Sequence, residues 1–203
     1  MQRFYQYSFL FFLFASIVFA QNRPDEIYQR NWLTSDSLFK VAPEFMPLPG
    51  AYQPQESALQ LLRCYHEPVT VLIFFGSWCS DSKREVPHFL TTLQLADNKN
   101  ISAHLFGLDR TKKDSTGWAE AFKIEKVPTF IFLRGEHNFT APGYIASEHT
   151  AAELGRIVEA PAINLEQDWI NALKHNAGWA REVEFEQMLA QLGFALAVFC
   201  AKY

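Results

Sequence analysis

Seven consecutive residues, Val69-Thr70-Val71-Leu72-Ile73-Phe74-Phe75, form an apolar, β-prone run that stops abruptly at Gly76-Ser77-Trp78. A strand with one wet face alternates apolar and polar residues. An unbroken run belongs to a strand covered on both faces, so other elements must lie above and below it. Immediately after the break, Cys79 opens a helical pattern that continues to about Ala96, with Val86, Phe89, Leu90, Leu93 and Leu95 apolar. Pro87 sits inside that pattern and is expected to kink the helix.

The flanking sequence extends the same grammar. Ala58, Leu61, Leu62 and Tyr65 have helical spacing ahead of the run, with Pro54 as an early helix residue. Residues 101–108 read as a second strand and 117–122 as a short helix. Thr129-Phe130-Ile131-Phe132-Leu133 is a third strand, entered through Val127-Pro128. Strand, helix, strand, helix, strand predicts an α/β fold. Residues 154–159 are then read as a further strand ended by Pro161, followed by a helix capped by Asn164 with Gln167 at the capping-box position and running to Leu173. The rival is a single helix over 148–160.

Upstream, Pro24, Pro43, Pro47, Pro49 and Gly50 argue against long helices over 21–53. That stretch is expected to be a lead-in with one helical turn at 35–39, packed on the domain through Trp32, Leu38, Phe39 and Phe45. Residues 54–174 form the expected domain. The tail, 175–203, looks helical and ends in an apolar stretch that includes Cys200, expected to pack on the domain, with a membrane-surface or dimer contact as the alternative.

Residues 1–20 read as an address. A short polar start with Arg3 precedes an apolar run of about a dozen residues, and Val18-Phe19-Ala20 places small residues where a signal peptidase cuts. The run is short for a bilayer span. An export compartment is therefore expected, with a bacterial periplasm as the leading destination, where disulfides persist.

Composition excludes several classes. Among 203 residues, 49% are hydrophobic and 20% charged, which suits a chain with a buried core rather than a disordered one. The net charge of −4, with no basic block, disfavours nucleic-acid binding. Histidines have no ligand spacing, so no metal site is indicated, and no phosphate loop or serine-hydrolase elbow suggests a cofactor or acyl transfer.

The chemistry concentrates at Trp78-Cys79-Ser80-Asp81-Ser82. A cysteine leaving a strand for the first turn of a helix meets unpaired N–H groups and the positive end of the helix dipole, which favour an anion. A thiolate is such an anion. Trp78 would cover the sulfur. Ser82 is placed to donate a hydrogen bond to it, Asp81 opposes its charge, and Lys83 and Arg84 offset Asp81.

Phe74 to Leu90 resembles the active-site segment of the thioredoxin superfamily. The Trp78-Cys79 pair follows an apolar strand, Pro87 lies where thioredoxins carry a helix-kinking proline, and Val127-Pro128-Thr129 resembles the family's cis-proline loop. The stretch from Trp78 to Pro87 is similar to a group of exported bacterial thioredoxin-like proteins. The resemblance implies a three-layer α/β/α sandwich, Cys79 as nucleophile, and Val127, Pro128 and Thr129 as the surface that binds extended polypeptide. Two departures stand out. Ser82 occupies the place of the resolving cysteine, and Ile73 occupies the place of a buried carboxylate that assists proton transfer.

Monothiol exchange is what remains. Cys79 would attack a protein disulfide or a mixed disulfide, and an external thiol would release the product. The alternative is a non-catalytic binding or chaperone-like module that uses the proline groove. A peroxide-handling relative is a weaker third reading, because no arginine and threonine accompany Cys79. Cys64 reads as a buried small hydrophobe. Cys200 is open between packing in the tail, bridging two chains and pairing with Cys64. His88, more than two turns from Cys79, is expected at the surface.

Overall fold

A computed structural model describes residues 32–113, 117–137, 139 and 153–175. The proposed address at 1–20, most of the lead-in before Trp32 and the tail from 176 onward lie outside the described residues. In chain order the elements are β1 (Trp32–Leu33), α1 (Ser35–Val41), a 3-10 turn (Pro43–Phe45), α2 (Glu56–Arg63), β2 (Val69–Phe75), α3 (Ser80–Ala96), β3 (Ile101–Gly107), α4 (Trp118–Ala121), β4 (Thr129–Arg134), β5 (Glu153–Val158) and α5 (Leu165–Leu173).

The strands form one mixed sheet in the order β1-β3-β2-β4-β5. β2 is central: it pairs parallel with β3 in the register Val69 to Ile101, and antiparallel with β4 in the register Val69 to Arg134. β4 pairs antiparallel with β5, with an irregularity at Phe132/Leu133. All seven residues of β2 are buried, as a strand covered on both faces requires.

Side chains alternate between the two faces. Val71, Ile73, Phe75, Phe130 and Phe132 belong to a core shared with α2, α3 and α5. Leu72, Phe74, Phe106, Ile131 and Leu133 belong to a second core with Trp118, Ala119, Phe122 and Ile124 from α4 and the turn after it. The result is an α/β sandwich whose first face carries most of the helix. There Phe89 of α3 stacks between Trp169, at 4.3 Å, and Phe130, at 5.0 Å between ring centroids. Fully burying a side chain of this kind contributes about 1.5–3 kcal/mol, so this aromatic stack is a principal hold on α3.

Several expectations are met in detail. The region after Glu153 is a strand and then a helix, not one helix over 148–160. Asn164 caps α5, its side chain accepting the Gln167 amide at 2.8 Å. The Gln167 side chain does not complete a capping box; it donates to Asn171 along the helix. Pro87 leaves α3 continuous from Ser80 to Ala96.

The lead-in departs from expectation. It supplies an edge strand, β1, paired antiparallel with β3, and a full helix, α1, capped by Thr34, whose hydroxyl accepts the Ser37 amide at 3.2 Å. Leu38 and Phe45 are fully buried. Pro54 falls two residues before α2 rather than inside it, with Gln55 as the cap.

Candidate functional site

The exit of β2 is built around a close backbone approach. At Gly76 a Cβ would lie 2.7 Å from the Trp78 indole, so only glycine lets that ring fold back over the strand end. The indole N–H donates to the Leu108 carbonyl at 3.0 Å, and the Leu108 amide donates to Phe75 at 2.7 Å. Trp78 is thus fixed to the turn that follows β3. Arg110, on that turn, holds its guanidinium 5.3 Å from the indole centroid, within cation–π range.

Cys79 is the N-cap of α3, in extended conformation. Its amide donates to Gly76 at 3.0 Å and its carbonyl accepts Lys83 at 3.1 Å, which starts the helix. The side chain does not cap the helix. Its sulfur lies 3.1 Å from the Val127 carbonyl, as a thiol donor would. Cys79 is half-buried and is a free thiol. It packs, with Trp78, against the second core.

The loop opposite is the one singled out in the sequence. The Val127–Pro128 peptide bond is cis. Val127 and Thr129 are nearly inaccessible, and the Thr129 hydroxyl donates to the Lys126 carbonyl at 2.7 Å. The Pro128 carbonyl accepts Glu159 at 2.7 Å. What this loop presents to Cys79 is therefore main chain, the Val127 carbonyl, rather than a side chain.

Ser80 is exposed, and Asp81 pairs with Arg84 at 2.9 Å, so the offset expected for its charge is present. Ser82 is different from expectation. It is fully buried, and its oxygen accepts the Gly76 amide at 3.1 Å. Among the described residues it makes no bond to the Cys79 sulfur. The hydroxyl instead satisfies a buried N–H at the end of β2 and holds the turn on which Trp78 and Cys79 sit.

The residues missed in the sequence lie one turn further along α3. Glu85 is 6% exposed and accepts the Arg84 Nε–H at 2.6 Å. His88, expected at the surface, is half-buried, with Nδ1 3.7 Å from Glu85 and its ring stacked 4.1 Å from Tyr52. The Tyr52 hydroxyl donates to buried Glu166 at 2.6 Å, and the Gln55 amide donates to the same carboxylate at 2.8 Å. Burial, followed by the Glu166 hydrogen bond, pushes the Tyr52 hydroxyl pKa upward. A signal existed: Ser82, Glu85, Val86 and Phe89 follow the spacing of one helix face, so Glu85 shares the buried stripe.

Cys64 also departs from expectation. It is the C-cap of α2, half-buried, and disulfide-bonded rather than a packed free thiol. Of the described cysteines, Cys79 alone is free. Among the described residues no cluster of His, Cys, Asp or Glu suits a metal ion, and no helix is long and apolar enough to cross a membrane.

No family model matches this chain, and no curated protein matches it. Two solved structures are similar in part. One is a protein of unknown function, PA1234, from Pseudomonas aeruginosa, with 19% identity over 54% of this chain and 56% of that one, at a TM-score of 0.38. The other is an HIV epitope scaffold of the 4E10 series, with 18% identity over 64% of this chain and 67% of that one, at a TM-score of 0.39. The chain therefore spans little more than half the length of the first.

Proposed function

We propose that this chain is a thioredoxin-like protein that performs thiol–disulfide exchange through one cysteine, Cys79, in an export compartment. The observation that carries the reading is the setting of that sulfur. It is free, half-buried, at the start of a 17-residue helix, and within 3.1 Å of the main chain of a cis-proline loop. The strand order, with its central parallel pair and two antiparallel neighbours, supports the fold.

The chemistry is a two-step exchange. The Cys79 thiolate attacks one sulfur of a substrate disulfide, forms a mixed disulfide and expels the other sulfur as a thiolate. With serine at position 82, the second step needs a thiol from outside: it attacks the mixed disulfide, regenerates Cys79 and leaves with the substrate sulfur. In the resting thiol the S–H donates to the Val127 carbonyl, and its proton passes to solvent before attack. The substrate is a protein disulfide or a mixed disulfide, and the chain takes no cofactor.

Treatment of the full chain with oxidised glutathione tests this. Cys79 should become the principal modified residue in a peptide map, and Cys79→Ser should abolish capture of disulfide-bearing clients. Client capture that survives Cys79→Ser would replace exchange with the binding-module reading.

A further inference from the structure

The far end of α3 carries a second feature with no part in exchange at Cys79. A groove of about 540 Å³ runs between the lead-in, at Pro47, Leu48 and Pro49, and the helix faces that present Leu59, Arg63 and Leu95. Its lining combines exposed leucines with polar residues and the Arg63–Glu56 ion pair. Leu48 is 67% exposed, Leu95 45%, and Met46, beside it in sequence, 45%. Two exposed leucines lining one groove make it a candidate contact surface. Seventeen residues of helix, about 25 Å, separate this end of α3 from Cys79.

Cys64 directly follows Arg63, which lines the groove and donates to the Leu95 carbonyl at 3.2 Å. Cys64 is disulfide-bonded while Cys79 is free. The chain has three cysteines, and the remaining one is Cys200. Cys200 lies within Leu192-Gly193-Phe194-Ala195-Leu196-Ala197-Val198-Phe199-Cys200-Ala201, a stretch with no charged residue. Length does not restrict the link. The 25 residues from His175 to Cys200 reach about 37 Å even as helix, and further if extended.

We propose that the groove is the docking site for the chain's own apolar segment 192–201, locked there by a Cys64–Cys200 disulfide. The segment supplies Leu192, Phe194, Leu196 and Phe199 to a groove that offers Leu48 and Leu95. The two charged residues of the lining, Arg63 and Glu56, are paired with each other at 2.6 Å and ask no counter-charge of an uncharged segment. The lock is reducible: an external dithiol gives two electrons and two protons to the bond, leaves Cys64 and Cys200 as thiols, and is itself oxidised to a disulfide. Release uncovers the groove and frees the tail together. This strap does not depend on the chemistry proposed for Cys79.

Peptide mapping of the full chain without reduction, combined with amide hydrogen exchange, tests the proposal. A monomer should yield a Cys64 peptide linked to the Cys200 peptide. Dithiothreitol, or Cys200→Ser, should speed exchange at least tenfold in peptides covering residues 46–50 and 92–96, while exchange at 69–75 stays as before. The paired variant Leu48→Glu with Leu95→Glu keeps both cysteines and should expose the tail to proteolysis. Linkage of Cys64 to a cysteine of a second chain would overturn the proposal, with the groove then an interface between copies. So would groove exchange that is the same with and without the bond, or a tail equally protected in the paired variant.

Discussion

The two ends of α3 treat the same physical problem in opposite ways. Every helix leaves backbone donors unpaired at its start and acceptors unpaired at its finish. At the finish, side chains close the account. Asp97 takes the left-handed conformation and its amide donates to the Leu93 carbonyl at 3.2 Å, while Arg63, from the end of α2, donates to the Leu95 carbonyl at 3.2 Å. Asn98 and Asn100, just past α3, donate in turn to carbonyls at the end of α2, Leu62 at 2.7 Å and Tyr65 at 2.6 and 3.2 Å. At the start, Cys79 provides no side-chain cap, and its sulfur faces a carbonyl from another segment. The polar side chain invested there, Ser82, serves the strand end rather than the helix. One end is tied to α2; the other starts without a side-chain cap, and its half-buried cysteine turns to another segment.

The largest effect tests whether the two ends belong to one rigid piece. Phe89 lies between them and stacks on both Phe130 and Trp169. Phe89→Ala should cost about 3–5 kcal/mol in urea unfolding. Alkylation of Cys79 and hydrogen exchange around Asn98 should then both accelerate. Acceleration at one end alone would mean that α3 is two pieces joined at Pro87.

Two variants should separate the ends. Gly76→Ala places a methyl group 2.7 Å from the Trp78 ring and should cost about 1–3 kcal/mol, with a shift in tryptophan fluorescence and altered Cys79 alkylation. Asn98→Ala leaves the Leu62 carbonyl without its side-chain donor and Tyr65 with the Asn100 bond alone, and should cost about 1–2 kcal/mol. It should leave the Cys79 alkylation rate unchanged. A change there after Asn98→Ala would show that the ends are coupled through the helix.

The sequence was most legible where one rule acted alone. The β2 run, the strand exits and the Asn164 cap depend on local pattern, and each stands within a residue or two of its expected place. β1 was not legible, because two residues carry too little periodicity, and pairing with β3 is a property of the sheet. The candidate site was legible as a segment, since Trp78, Cys79 and Ser82 adjoin one another after a strand. Its hydrogen bonds were not. Whether the Ser82 hydroxyl serves the sulfur or the Gly76 amide is decided by the path of the turn. The Tyr52–His88 stack and the Glu166 anchor join residues 36 and 114 positions apart in sequence. Neither follows from spacing, although the helical stripe through Ser82, Glu85 and Phe89 pointed to Glu85.

The smallest effect concerns where along α3 the divide falls. Tyr52 stacks on His88 near the middle of the helix and donates to buried Glu166, which fastens the lead-in to α5. Burial and that bond raise its pKa above the ordinary 10.0. The folded state therefore favours the protonated phenol, whereas the unfolded chain releases the proton near the ordinary value. The resulting stability is fully present below pH 10 and is lost as pH rises above it. Unfolding scans from pH 8 to 11 should fall more steeply for the wild-type chain than for Tyr52→Phe, and the difference between the two slopes isolates this hydroxyl from other groups that titrate in the range. Equal slopes would mean that the phenol is not held by Glu166. If hydrogen exchange in the same interval rises at Gln55 and His88 but not at Ser82 or Asn98, the lead-in loosens by itself and both ends of α3 keep their separate characters. A rise that spreads to Ser82 would place Tyr52 and Glu85 within the structure that holds Cys79.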